Sequence, residues 1–186
     1  MKLPTLETER LVLRPLRRSD APVLFKQIND PAIAANTLGI PHPFPYEEVL
    51  PYIERNLERT ATGEYTPFAI VLKDLQIFIG YTRLTAEGDQ RRAELAYWLG
   101  QSYWGKGYIT EAAGRLVRFG FERLNLNRVF AFSFAENIAS QRVMEKLGMT
   151  YEGTWRRDVM KNGQFKDVAF YGLLRGDYLK QQNQSL

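Results

Sequence analysis

Two glycines one residue apart, in Trp104-Gly105-Lys106-Gly107-Tyr108, stand between an apolar run ending at Leu99 and a long amphipathic stretch from Thr110. A strand, a short glycine turn and a helix start together make an anion site. The first peptide N–H groups of a helix lack intrahelical partners and carry the positive end of its dipole, and glycine lets a phosphate oxygen approach the backbone. The same residues also suit a plain tight turn with Trp104 packed beneath it. The turn lacks the third glycine of a dinucleotide fingerprint, and Lys106 is followed by Gly rather than by the Ser or Thr of a P-loop. A second group is Asn137-Ile138-Ala139-Ser140, continuing through Glu145, Lys146 and Leu147 to Gly148. Asn137 suits a helix cap and Gly148 a helix stop. A third candidate is Glu94, on one strand face with Ala96 and Trp98, either as a base or as the partner of an arginine such as Arg92 or Arg128. The sole histidine, His42, sits between two prolines and reads as a surface or packing residue. Tyr103, Tyr108, Trp98 and Trp104 read mostly as packing. The chain has no cysteine, which excludes a cysteine nucleophile, a disulfide framework and a thiolate zinc site.

These residues need elements to hold them. Leu11 and Leu13 alternate with Arg10, Val12 and Arg14, which predicts a strand ended by Pro15. Ser19-Asp20 offers a cap for a helix carrying Val23, Leu24, Phe25 and Ile28, closed at Asp30-Pro31. A loop from Gly39 to Pro45 leads to a second helix, about Tyr46 to Thr60, with Val49, Leu50, Ile53 and Leu57 at helical spacing. Three strands follow, Pro67 to Leu72, Ile77 to Leu84 and Arg92 to Leu99, as an antiparallel meander. From Thr110 to about Leu124 a helix places Ala112, Ala113, Leu116, Val117 and Gly120 on one face, with Arg115, Arg118 and Glu122 opposite. A strand from Arg128 to Phe134, a helix capped by Asn137 and a hairpin at Asn162-Gly163 complete the order.

At 186 residues the expectation is one domain. With 45% hydrophobic and 25% charged residues it should be globular rather than disordered. The net charge of +4 and pI near 9.3 would suit a polyanionic ligand, but the basic residues are scattered and form no recognition motif, so a nucleic-acid-binding module is not expected. No secretory signal is expected from Met1 to Arg18, and no window approaches the roughly 20 apolar residues of a membrane span. A cytoplasmic location, without membrane or nucleic-acid partners, is the expectation.

Taken together the pieces resemble the GNAT superfamily of N-acetyltransferases, in its RimJ/RimL-like branch, which acetylates ribosomal-protein N-termini and assorted other amines. The resemblance is carried in order by Thr8-Glu9-Arg10-Leu11 with Leu13-Arg14-Pro15 and Asp20-Ala21, by Ala93 to Leu99, and by Tyr103 to Tyr108 with Thr110-Glu111-Ala112. Asn137, Ser140, Glu145 to Gly148, Glu152-Gly153 and the closing hairpin continue it. It departs from the wider superfamily at Ser102, where Arg or Gln is usual; the amide cradle does not depend on that side chain.

The resemblance implies an α+β, three-layer GNAT fold: a mixed, mostly antiparallel sheet of about six to seven strands, about four helices, and a splayed junction between Arg92 to Leu99 and Arg128 to Phe134. The domain would span 7–176, with short extensions at 1–6 and 177–186. It implies acetyl-CoA as cosubstrate and no metal. The pantetheine arm would pair with strand backbone near Trp98 and Leu99, and the pyrophosphate would lie on the amides of Gly105, Lys106, Gly107, Tyr108 and Ile109, with Thr110 as a hydroxyl donor and Asn137 near the pantetheine or the acceptor. Glu94 is the candidate base and Ser140 the candidate proton donor at sulfur. Without a cysteine, direct attack on the thioester is the economical mechanism. The acceptor expected is an α-amine of a protein or peptide; a small amine (polyamine, amino acid or aminoglycoside) and a non-catalytic acyl-CoA-binding regulatory domain are the alternatives. The two N-terminal helices, the loop Gly39 to Pro45 and the Asn162-Gly163 hairpin should wall the acceptor site, and the protein would be a monomer or homodimer.

Overall fold

The structure, a computed structural model, describes residues 3–184. Eight strands form one sheet in the order β1 (Leu6–Glu7), β2 (Leu11–Arg14), β3 (Tyr65–Leu72), β4 (Phe78–Ala86), β5 (Arg92–Leu99), β6 (Arg128–Phe134), β8 (Gln164–Leu174) and β7 (Thr150–Lys161). All neighbours are antiparallel except β5 and β6. The helices are α1 (Ala21–Ile28), α2 (Pro31–Asn36), α3 (Val49–Ala61), α4 (Tyr108–Glu122), α5 (Ile138–Lys146) and α6 (Arg175–Gln184).

Period-two burial divides the core between the two sheet faces. One face carries Leu11, Leu13, Leu95, Leu99, Val129, Ala131 and Tyr171 against Ala112, Ala113, Leu116 and Val117 of α4 and Met144 of α5. The other carries Ala69, Val71, Tyr81 and Trp98 against Leu24 and Ile28 of α1, Ile33 of α2 and Val49 and Ile53 of α3. The first will be called the α4 face and the second the α3 face.

The architecture is the expected three-layer α/β one, with eight strands and six helices rather than six to seven and four. The added elements are short or polar and escape periodicity. Asp30-Pro31, read as the end of a helix, starts one: the Asp30 carboxylate accepts from Ala32 N at 2.8 Å and Pro31 occupies the first helical position. Asp20 makes no cap hydrogen bond to α1; it is buried and takes both guanidinium nitrogens of Arg14. Leu50, expected on the inner face of α3, is exposed. Leu3, Leu6 and Tyr178, from the segments read as terminal extensions, are buried, and Tyr178 stacks on Phe121 at 4.8 Å. Asn162 and Gly163 both have positive φ, the geometry of a two-residue hairpin turn.

Candidate active site

The parallel pairing of β5 with β6 is short: Arg92 with Arg128, Ala93 with Val129, and Glu94 with Phe130. Beyond Glu94 the strands part, while β5 stays zipped to β4 as far as Leu99 and β6 to β8 as far as Phe134. A wedge therefore opens in the middle of the sheet, lined by strand edges without a neighbour. An extended ligand can add there as a strand would.

At the wide end, β5 leads through a 3-10 turn (Gln101–Tyr103) into Trp104 and the glycine turn. Gly105 and Gly107 have φ of 73° and 78°, a conformation other residues enter only with strain, and Gly107 is the N-cap of α4. Among the described residues, no backbone acceptor meets the N–H groups from Gly105 to Thr110; the first to be paired is Glu111, to the Gly107 carbonyl at 3.1 Å. A side chain added at Gly105 would meet nothing within 4 Å. Unpaired, exposed amides at the N-terminus of a fifteen-residue helix fit a pyrophosphate. Trp104 is not buried beneath the turn: it is 42% exposed, and its indole N–H donates to the Leu99 carbonyl at 2.6 Å. Leu99 turns its carbonyl to the wedge edge of β5, where the indole is its partner, whereas the Trp98 carbonyl lies against Gly80 of β4.

The turn is braced from the bend just before β2, almost a hundred residues upstream. Arg10 donates from Nη1 to the Lys106 carbonyl at 3.0 Å and from Nε to Glu111 at 2.7 Å, and its guanidinium lies 4.6 Å from the centre of the Tyr108 ring. Burial raises the Glu111 carboxyl, but hydrogen bonds from Thr8 and Arg10 and the Arg10 charge outweigh it and hold the group below its ordinary value. Lys106 folds back, its ammonium on the Ser102 carbonyl at 3.0 Å.

The two candidate catalytic residues lie on opposite faces. Ser140 starts α5, where its N–H donates to Asn137 Oδ1 at 3.1 Å, so Asn137 is the cap it was expected to be. From the α4 face of β5, the Tyr97 hydroxyl reaches Ser140 Oγ at 2.9 Å. Burial pushes the Tyr97 hydroxyl up to about 12 against the lowering influence of Ser140, so it stays protonated. Glu94 points to the α3 face with Ala96 and Trp98. Its partner is neither Arg92 nor Arg128, which pair with Glu87 and Glu152; it is Arg83 of β4, at 3.4 Å. Arg83 also lies 4.9 Å from the Tyr65 ring centre.

The segments expected to wall the acceptor side do meet. Lys161, at the end of β7, is buried and donates to the carbonyls of Ile40 at 2.7 Å and Leu38 at 3.3 Å, tying the hairpin to the loop before α3. His42 is exposed on that loop. Among the described residues no group of three or more His, Asp or Glu could hold a metal ion, and no helix is long and apolar enough to cross a membrane.

A wedge in a mixed sheet, with an anion cradle at its mouth, is accompanied by a sequence match: residues 10–150 fit the Acetyltransferase (GNAT) domain. The chain belongs to the GNAT acetyltransferase family. Among GNAT relatives it is 32% identical, over 95% of its own length and 99% of the other, to the uncharacterized N-acetyltransferase p20 of Bacillus licheniformis. The fold is shared with RimL, a ribosomal L7/L12 alpha-N-protein acetyltransferase solved with coenzyme A (TM-score 0.85, 21% identity, 92% and 98% of the two chains). It is shared as well with a spermidine N-acetyltransferase chimera built from Vibrio cholerae and hSSAT sequences (TM-score 0.78, 22% identity, 92% and 99%).

Several parts of this GNAT site were not singled out from the sequence: Arg10 as a brace, Arg83 as the partner of Glu94, Tyr97 beside Ser140, and Lys161 as a tie. Arg10 had a signal, since it lies in the Thr8 to Leu11 segment that resembles the family. The other three are ordinary strand residues until the sheet is assembled.

Proposed function

We propose that this GNAT domain transfers the acetyl group of acetyl-CoA by direct attack to an α-amine at the N-terminus of a protein or peptide. The observation that carries the reading is the sidedness of the wedge, with Glu94 on the α3 face and the Tyr97–Ser140 pair on the α4 face, beside the helix that bears the cradle. A thioester lying along the edge of β5 then has a base on the acceptor side and a hydroxyl pair on the sulfur side. The backbone amides of Gly105, Lys106, Gly107, Tyr108 and Ile109 would hold the pyrophosphate, with Thr110 as hydroxyl donor. Of the two strand residues expected to pair with the pantetheine, Trp98 and Leu99, it is Leu99 that faces the wedge, so Leu99 and the Asn137 side chain would hold it.

The amine nitrogen attacks the thioester carbonyl, forming C–N while C–S breaks. A backbone N–H of β5 beyond Glu94 supports the developing oxyanion. Glu94, directly or through a water, takes the proton from nitrogen, and Ser140 gives one to the departing sulfur and regains it from solvent. The neutral Tyr97 hydroxyl fixes the Ser140 Oγ. An α-amine, with a reference pKa of about 7.7 to 8.0, asks little of its base, whereas a lysine at about 10.4 asks much more. A polyamine would call for several convergent, unpaired carboxylates; of the cluster Glu47, Glu48 and Glu54 around the start of α3, Glu48 is paired with Arg55 and Glu54 with Arg18, and Glu47 is exposed.

Release of free thiol from acetyl-CoA, measured against peptide N-termini set beside polyamines and amino acids, tests the reading. Turnover should be highest with peptides. Faster turnover of spermidine would replace the acceptor, and tight acetyl-CoA binding without turnover on any amine would leave a regulatory domain.

A further inference from the structure

Beyond β5 the α3 face changes character. α1 and α3 lie over β3 and β4, but on β6, β8 and β7 the same face bears Phe132, Phe170 and Trp155. Phe132 and Phe170 are register partners with ring centres 5.6 Å apart, and Trp155 lies 4.4 Å from Phe170. Trp155 is 60% exposed and the two phenylalanines are half-buried. The strip starts at the wedge, for Phe130 is the register partner of Glu94 and Phe132 follows on the same face.

We propose that this strip is the subsite for the acceptor's first side chain and that it takes a planar aromatic one. The proposal rests on the transfer reading above and adds the class of acceptor. Three observations select the occupant. The strip offers ring faces and edges, which pair with another ring beyond what apolar area alone supplies. It begins beside Glu94, whose register partner is Phe130, so a side chain that follows the strip starts from an amine at the carboxylate. Charges border it, with Arg83 and Glu94 at the wedge, and Lys166 with Glu136 and the Lys161 tie toward the hairpin turn. A flat protein face, including a second copy of this chain, would bury the Lys166–Glu136 pair, whose carboxylate is exposed, and its desolvation opposes association. A single ring beside the wedge leaves that carboxylate in water.

The test uses dipeptide amides X-Ala with X as Ala, Leu, Phe or Trp, followed by thiol release, on the wild type and on Phe170→Ala and Trp155→Ala. A second arm titrates 3-phenylpropanoyl-alaninamide, which lacks the amine, into the CoA-loaded protein by calorimetry. The aromatic amides should exceed Ala-Ala amide in kcat/KM by about tenfold, the scale of one ring pair plus its buried area. Both variants should remove most of that preference while changing turnover of Ala-Ala amide by less than about twofold, since neither residue touches the reacting atoms. Equal kcat/KM for Phe and Ala, or a uniform loss on all four amides in the variants, overturns the proposal. A dimer by light scattering that Trp155→Ala dissociates also overturns it, in favour of a second copy. If no peptide turns over but the phenylpropanoyl ligand binds in a Phe170-dependent way, the subsite stands and the N-terminal acceptor reading falls.

Discussion

On the donor side of the wedge most of the contacts that matter lie close together in sequence: the Trp104 to Thr110 amides, Lys106 on Ser102, and Asn137 capping Ser140, with Arg10 on Lys106 and Tyr97 on Ser140 as the distant ones. On the acceptor side the pairings join separate elements. Glu94 meets Arg83 on the neighbouring strand, Lys161 reaches Ile40, and the aromatic strip gathers one residue each from β6, β8 and β7. On the proposed function the donor side would bind by backbone, which any sequence keeping the glycines can supply, and the acceptor side by side chains, which can change while the fold stays. A scaffold shared with a ribosomal-protein acetyltransferase and a spermidine acetyltransferase is what that division would permit.

The division breaks if acceptor-side changes alter cofactor binding. Glu94→Gln should lower kcat by about a hundredfold at pH 7, within the range of a lost general base, and leave acetyl-CoA affinity by calorimetry unchanged. The deficit should shrink as pH rises above about 8, where an α-amine is already neutral. A variant equal to wild type at all pH values removes Glu94 from the chemistry. Gly107→Val is the mirror case. A β-branched residue at φ 78° is strained, and its Cβ would stand 3.4 Å from the Arg10 guanidinium. Losing one or two amide–phosphate hydrogen bonds should weaken CoA binding by about thirtyfold, with binding measured without acceptor. Unchanged affinity would refute the cradle.

The same division explains what the sequence disclosed. The order of strands and helices, the α4 stripe, the Asn137 cap and the glycine turn follow from local periodicity and turn chemistry, so they could be read directly. α2 could not, because Asp30-Pro31 serves equally as a helix stop and a helix start, and only the Ala32 amide decides. Nor could the partner of Glu94: Arg92, Arg128 and Arg83 each stand two register positions away, and the first two are taken by Glu87 and Glu152. Trp104 was expected under its turn; its indole found an acceptor at Leu99 and left the ring at the surface.

Tyr97 tests the boundary itself, since it sits on β5 and serves the sulfur side. Tyr97→Phe removes a hydroxyl from Ser140 but keeps the ring, and should lower kcat by about fivefold, the net worth of one hydrogen bond, with little change in KM for either substrate. Because burial holds the hydroxyl near 12, wild-type activity should show no loss from Tyr97 ionisation up to about pH 10. An alkaline decline absent from Tyr97→Phe would mean the group ionises in the working range.

The smallest effect belongs to the donor-side contact that spans the most sequence, Arg10 on the glycine turn. Arg10→Ala leaves every cradle amide in place but removes the link from the bend before β2 to the Lys106 carbonyl and Glu111, so CoA affinity should fall about three- to fivefold, with stability lowered by no more than about 1 kcal/mol for so exposed a pair. Arg10→Lys should resemble the alanine variant, because an ammonium cannot bond both groups in fork geometry. The sign of the pH effect is set by Glu111, whose carboxyl is held below its ordinary value. The brace is complete above the ordinary carboxylate pKa, about 4.3, and is lost as pH falls through the lower folded value. Wild-type CoA affinity should therefore drop in acid more steeply than that of Arg10→Ala. If the two acid profiles coincide, Arg10 is a bystander, and the cradle is held by its own turn alone.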